Sequence, residues 1–193
     1  MGCTFQAIWQ AMQNSRERCP IPVRELRSYH GNEFINHALI AAVGQDLVGI
    51  AQTRGRPGYH NDNRFVEQKN SSLVRAYVGT LPLHTAAELR ALNALYEDMW
   101  LYYDLFHPVL RQTERTAVTG PDGVVRIRRN QDRARTPFQR LCEAKPPIPR
   151  AKREYLQSLY EQTSLMALKP RIHAQVEDLS TMVATEQEAL TLV

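Results

Sequence analysis

The chain has 193 residues, of which 43% are hydrophobic and 23% charged, and this composition excludes a disordered or fibrous protein. Its three cysteines include no Cys-x-x-Cys pair, which excludes a disulfide framework and a cysteine-rich zinc module. The longest apolar run, around residues 38–43, is far shorter than the roughly 20 residues that span a bilayer. We therefore expect a cytoplasmic protein with no membrane partner.

The formal net charge of +4 is distributed unevenly along the chain. Residues 1–110 carry ten basic and ten acidic side chains, residues 111–153 carry twelve and four, and residues 154–193 carry two and six. A basic block in an otherwise balanced chain is typical of a protein that binds a polyanion such as nucleic acid, and equally of a solvated basic surface. We place a domain boundary near residue 110, which separates residues 1–110 from a basic C-terminal region, residues 111–193.

Apolar spacing and turn residues divide the chain into helices and short strands. A capping box of Thr85 and Glu88 predicts one helix start, and Thr136 followed by Pro137 predicts another. Up to residue 78 the predicted elements, in chain order, are a helix over 4–18, strands over 23–28 and 47–54 with a helix over 32–43 between them, and a helix over 63–78. From Thr85 onward they are a helix after Thr85, a hairpin over 116–127 around Gly120-Pro121-Asp122-Gly123, a short helix after Thr136, and a helical tail from 150 with a break near Thr163.

Most of the familiar catalytic motifs are absent from the sequence. The six histidines are scattered and none has the spacing of zinc ligands, so we expect each to be structural. The sequence contains no phosphate-binding glycine loop and no Gly-x-Ser-x-Gly elbow. These observations argue against a hydrolase, a kinase or a dehydrogenase.

Glu67 is the main candidate for a metal ligand. It lies in the first turns of the helix predicted over 63–78, and α-helical spacing places Asn70, Ser71 and Val74 on the same face. Mg²⁺ prefers oxygen ligands, and phosphoryl transfer on DNA commonly uses two such ions. A glutamate that stabilises a helix N-terminus through the helix dipole explains the same position.

Two segments of the first domain resemble the DDE integrases and transposases, whose catalytic core is RNase H-like, and the likeness is closest to bacterial insertion-sequence transposases. Gly31-Asn32-Glu33-Phe34-Ile35-Asn36 is similar to the family pattern at the end of the strand that bears the second metal ligand. Asn61-Asp62-Asn63-Arg64-Phe65-Val66-Glu67-Gln68-Lys69-Asn70 is similar to the helix that bears the third ligand within Glu-x-x-Asn. Residues 93–110 and 128–141 are also similar to family segments, so that the likeness extends over most of the chain.

The resemblance implies an α/β fold, a truncated RNase H-like core with two of the usual sheet strands, followed by a basic β-hairpin and a helical tail. It makes Glu67 the third catalytic carboxylate and an Mg²⁺ ligand, and it gives Asn70 a role in supporting the site or contacting DNA. Tyr29 stands where the second aspartate is expected, and the strand expected to bear the first aspartate would precede Met1. One of three carboxylates is therefore present, and whether the chain is an enzyme stays open. The residues expected to contact DNA are Arg54, Arg56, Lys69 and Arg75, together with Arg126, Arg128 and Arg129 of the basic block.

Three functions are compatible with these observations. The first is a DNA integration or transposition protein, a remnant or fragment of a DDE enzyme that transfers DNA 3′ ends with two metal ions, and inactive alone. The second is a non-catalytic DNA-binding or transposase-assembly protein that uses residues 111–153. The third is a helical interaction module unrelated to DNA.

The truncation also has a consequence for folding. A core reduced to two strands leaves unpaired backbone groups at the sheet edges. We therefore expect either marginal stability or pairing with another chain, which would be a second copy or a complete transposase.

Overall fold

The computed structural model describes residues 5–28, 50–56, 59, 64–145 and 147–191. These residues form a mixed α/β protein that is mostly helical and contains two small sheets of two strands each. None of the helices in these ranges is long and apolar enough to cross a membrane. The chain divides into two compact units, residues 1–84 and residues 85–193.

The boundary between the two units differs from the domain boundary that we placed near residue 110. Residues 85–110 belong to the second unit, because the helix Ala86–Leu101 packs against the helix Leu165–Thr191 near the C-terminus. The assignment of residues 1–110 to one catalytic-type domain stays a prediction.

The first unit begins with a helix and a pair of parallel strands. Helix α1, Phe5–Arg18, ends just before Cys19 and Pro20. Strand β1, Glu25–Ser28, pairs in parallel with strand β2, Ala51–Arg54, in a register that places the first residues of both strands opposite each other. These elements confirm the predicted first helix and both predicted strands as far as the structure describes them, whereas the helix predicted over 32–43 lies outside the described residues.

Helix α2 follows β2 and changes its winding along its length. It is α-helical at Arg64–Lys69, π-helical at Asn70–Arg75 and α-helical again at Ala76–Val78. Gly79 ends it with a φ of 65°, a left-handed conformation that favours glycine. The helix predicted over 63–78 is confirmed, but its π-helical middle was not predicted. π-Helical turns within α-helices are frequent at functional sites.

The second unit contains four helices among its described residues and an antiparallel hairpin. The helices are α3 at Ala86–Leu101, continued by a π-helical segment at Tyr102–Phe106, α4 at Pro137–Cys142, α5 at Arg150–Gln162 and α6 at Leu165–Thr191. The hairpin consists of β3, Gln112–Thr119, and β4, Val125–Gln131. The predicted hairpin, the helix after Thr136 and the break near Thr163 are confirmed.

Local signals in the sequence explain where α3 and α4 begin. The Thr85 hydroxyl accepts a hydrogen bond of 3.2 Å from the Glu88 N–H, and the Glu88 carboxylate accepts one of 2.9 Å from the Thr85 N–H. Thr136 and Gln139 form the same reciprocal pair at the start of α4, at 3.1 and 3.0 Å. Each box satisfies two backbone donors that the first turn would otherwise leave unpaired.

The core of the second unit is made mainly of leucine side chains on its helices. Leu95 of α3 and Leu168 and Leu179 of α6 are fully buried. Leu105 packs with Phe138 of α4 and Leu156 of α5. Each such side chain contributes about 1.5–3 kcal/mol of transfer free energy, so the stability of this unit resides in its helices.

Candidate nucleic-acid interface

The β3–β4 hairpin is exposed on both faces. Thr116 in β3 and Asn130 in β4 are half-buried, and every other residue of the two strands is exposed. Apolar side chains near the turn share this exposure, with 62% of Val125 and 48% of Ile127 accessible to solvent. A two-stranded ribbon that buries neither face gains little from packing, so its side chains are available to a partner.

The register of the hairpin sorts its side chains onto two faces, because residues directly opposite each other in a sheet share a face. The first, which we call the Arg115 face, carries Arg115 opposite Arg129, Ala117 opposite Ile127, and Thr119 opposite Val125. The second, which we call the Arg128 face, carries Glu114 opposite Asn130, Thr116 opposite Arg128, and Val118 opposite Arg126.

Arg126, which the sequence predicts to contact DNA, forms an exposed ion pair within the hairpin. Its guanidinium donates two hydrogen bonds, of 3.1 and 2.5 Å, to the carboxylate of Asp122 in the turn. Arg126, followed by the backbone N–H of Val124, lowers the pKa of Asp122 below its usual range. Arg128 and Arg129, by contrast, are exposed and make no ion pair in the part of the chain that the structure describes.

Asp132 fastens the base of the hairpin to the helical part of the second unit. Its carboxylate accepts a hydrogen bond of 2.8 Å from the backbone N–H of Arg111, and bonds of 2.5 and 3.1 Å from the guanidinium of Arg140 in α4. Arg140 also donates to the carbonyl of Val109 at 2.7 Å. The hydrogen bond from Arg140, followed by that from Arg111, holds the pKa of Asp132 well below its usual range. These hydrogen bonds therefore hold the base of the hairpin against α4.

The predicted site residues of α2 are all exposed. Glu67 and Lys69 belong to its first α-helical part, and Asn70 and Arg75 are the first and last residues of its π-helical part. The expectation that Glu67 shares a face with Asn70, Ser71 and Val74 rests on α-helical spacing, which the wider π-helical turn interrupts. These residues lie in the first unit and the hairpin lies in the second.

Of the remaining predicted residues of the first unit, Arg54 lies at the carboxyl end of a strand. Arg54 is the last residue of β2 and is opposite Ser28, the last residue of β1. Tyr29 follows Ser28 and lies outside the described residues. The Arg56 guanidinium lies 4.1 Å from the ring centroid of Tyr59, a cation–π contact that leaves the arginine exposed.

The donor set for Mg²⁺ is incomplete as far as the described residues go. No group of three or more His, Cys, Asp or Glu side chains in these ranges is arranged to hold a metal ion. Among the described residues at positions that the resemblance assigns to metal ligands, Glu67 supplies one carboxylate, and Tyr29 lies outside the described residues. One carboxylate does not by itself hold two Mg²⁺ ions in a defined geometry, so the Mg²⁺ site that the resemblance implies stays a prediction.

Two residues of the interface were missed by sequence reasoning. Arg115 was not singled out, although counting residues outward from the predicted turn would have placed it opposite Arg129. Asp132 carried no signal, because its partner Arg140 belongs to a separate element whose position depends on tertiary packing.

Comparisons with known proteins assign no family to the chain. No family model matches it, and no solved structure matches it. One curated relative, the "Uncharacterized protein y4rM" of Sinorhizobium fredii, is 32% identical over 108 residues. The match covers 56% of this chain and 30% of the relative, so the chain corresponds to less than a third of that protein's length.

Proposed function

We propose that the chain is a DNA-binding protein of the DDE integrase and transposase type. It is a remnant or fragment of an enzyme that transfers DNA ends, and it holds DNA through the β3–β4 hairpin without catalysis of its own. The observation that carries the proposal is the exposure of both hairpin faces, with Arg115, Arg128 and Arg129 free of ion pairs within the described chain. The major groove of DNA admits a two-stranded β-ribbon, and guanidinium groups bind phosphates through paired hydrogen bonds.

The order of elements in the first unit supports the family part of the proposal. The resemblance implies a strand, a second strand and then the helix that bears Glu67. The strands β1 and β2 are parallel neighbours, and α2 follows them with Glu67 near its start. A parallel pair needs a crossover of a dozen or more residues, and the segment between Ser28 and Ala51 has that length.

The proposal is tested by the salt dependence of DNA binding. We expect the full chain to bind a fluorescein-labelled duplex, with an affinity that falls about 100-fold between about 50 and 200 mM salt, as is expected of roughly four phosphate contacts. The triple variant Arg115→Gln/Arg128→Gln/Arg129→Gln should lose most of this binding. Fluorescence anisotropy at several salt concentrations measures both effects.

A charge-matched variant separates the hairpin from net charge. Lys145→Gln/Arg150→Gln/Arg153→Gln removes three exposed cations from the same basic segment but outside the hairpin. It should keep most of the affinity, because these side chains lie before and within α5. Affinity that does not change with salt, or equal losses in the two triple variants, would contradict the proposal.

A further inference from the structure

We propose that the Arg115 face of the hairpin is the surface that contacts DNA, and that Arg115 and Arg129 bind one phosphate of the duplex between them. This inference rests on the proposed function, since it specifies which face of the hairpin binds the DNA. It assigns Arg115, which the charge pattern alone did not single out, as a binding residue.

Two like charges are paired on the Arg115 face. Arg115 and Arg129 are direct cross-strand partners, so that their Cβ atoms lie about 4.5–5.5 Å apart. Like charges placed directly opposite each other destabilise a sheet. Both side chains are exposed, and neither has an acidic partner in the part of the chain that the structure describes. An anion bound between the two guanidinium groups would attract both of them and so offset their mutual repulsion.

On the Arg128 face, most of the polar side chains already have partners within the hairpin. Arg126 is paired with Asp122, and the Asn130 amide donates a hydrogen bond of 2.9 Å to Glu114. Thr116 and Asn130 are half-buried, so this face is also less accessible near the base of the hairpin. Of its charged side chains, Arg128 alone among those described has no hydrogen-bond or ion-pair partner.

The rest of the Arg115 face also has a chemistry that suits DNA. The positions between the arginine pair and the turn carry Ala117, Thr119, Val125 and Ile127, and none of them is acidic. Two guanidinium groups offer paired N–H donors that match the two unesterified oxygens of a phosphodiester. Beside them, exposed apolar side chains suit deoxyribose and the methyl group of thymine. The face therefore presents a phosphate-binding pair followed by an apolar surface.

The test compares Arg115→Gln, Arg129→Gln and the double variant with Arg128→Gln, which removes one cation from the opposite face. The readout is the slope of log affinity against log salt for a short duplex. If both arginines contact one phosphate, the double variant lowers the slope by about 0.9, and each single variant lowers it by less, because the other arginine still neutralises that phosphate. Arg128→Gln should leave the slope unchanged, because its side chain lies on the opposite face of the hairpin.

A second readout separates binding from folding. Because each single variant removes a like-charge contact, the thermal midpoint of the DNA-free protein should not fall in Arg115→Gln or Arg129→Gln.

A slope loss of about 1.8 in the double variant would show two separate phosphates and overturn the shared-phosphate inference. A slope loss of about 0.9 in Arg128→Gln would overturn the choice of face while DNA binding by the hairpin stood. Failure of the wild-type chain to bind the duplex would instead contradict the proposed function.

Discussion

Arg171 of helix α6 donates two hydrogen bonds to the carboxylate of Asp98 of helix α3, from Nε at 2.6 Å and from a terminal guanidinium nitrogen at 2.5 Å. The Asp98 side chain is 10% exposed, whereas that of Arg171 is 53% exposed. The pair joins the two longest helices of the second unit across 73 positions of sequence. Because the two side chains are buried to different extents, replacing one should lower the free energy of unfolding by more than replacing the other.

We predict that Arg171→Gln destabilises the protein more than Asp98→Asn does. Loss of the arginine leaves a nearly buried carboxylate without its charged partner, whereas loss of the carboxylate leaves an arginine that water can solvate. We expect about 2 kcal/mol for Arg171→Gln and about 1 kcal/mol for Asp98→Asn, measured by urea unfolding. Glu154→Gln, in the exposed pair of Arg150 and Glu154, is the control and should cost less than about 0.5 kcal/mol. Equal costs for the two partners would contradict the burial argument.

The hairpin base predicts a specific dependence of stability on pH. Arg140 and the Arg111 N–H depress the pKa of Asp132 in the folded state below its ordinary value of about 3.9. The unfolded chain therefore binds a proton more readily, so the contribution of Asp132 is present above about pH 5 and is lost as the pH falls through the acid range. Asp132→Asn should be less stable than the wild type at pH 7, and this gap should narrow progressively below about pH 4.

The measurement for Asp132 is a series of urea unfolding curves between neutral and acid pH. Asp178→Asn, at an exposed position of α6, is the control and should give a profile parallel to that of the wild type. A gap between Asp132→Asn and the wild type that stays constant down to the lowest pH would show that the carboxylate does not act through its charge.

The elements predicted correctly from the sequence are those that depend on neighbouring residues. Thr85 with Glu88, and Thr136 with Pro137, act within one helical turn, so their effect does not depend on the rest of the fold. The turn of the hairpin is equally local, since Asp122 bonds the backbone N–H of Val124 two residues away.

Some features that were not predicted depend on tertiary contacts, and others are departures from regular local geometry. Asp98 and Arg171 meet because α3 and α6 pack together, and no spacing rule joins residues so far apart. Arg126 was predicted to contact DNA, and this stays a prediction; the structure adds an ion pair with Asp122, four residues away in the turn. The π-helical part of α2 also departs from the regular spacing that a periodicity argument assumes.

The parallel pair of β1 and β2 leads to a prediction about association. Within the described residues each of these strands has one neighbour, and parallel strands are normally buried among further strands and helices. We expect the isolated chain either to unfold with a broad, low-temperature transition or to pair with another copy through a strand edge. Light scattering combined with calorimetry measures both properties. A stable monomer with a sharp transition would contradict this expectation. Urea unfolding of the second unit alone, residues 85–193, serves as the comparison for the stability of the full chain.

Glu67 provides the test of whether any catalytic activity survives. The side chain is exposed on α2 and is the one carboxylate at a position that the proposed family likeness assigns to a metal ligand, so we expect no strand transfer by the wild-type chain with Mg²⁺ or Mn²⁺. The assay incubates the chain with a labelled DNA end and a target duplex, with EDTA as the control for metal dependence. Glu67→Gln should unfold within about 0.5 kcal/mol of the wild type, because an exposed helix position makes little contribution to packing. Strand transfer that requires Mn²⁺ and disappears in Glu67→Gln would show that the chain, or a partner strand supplied by a second copy, completes the ligand set.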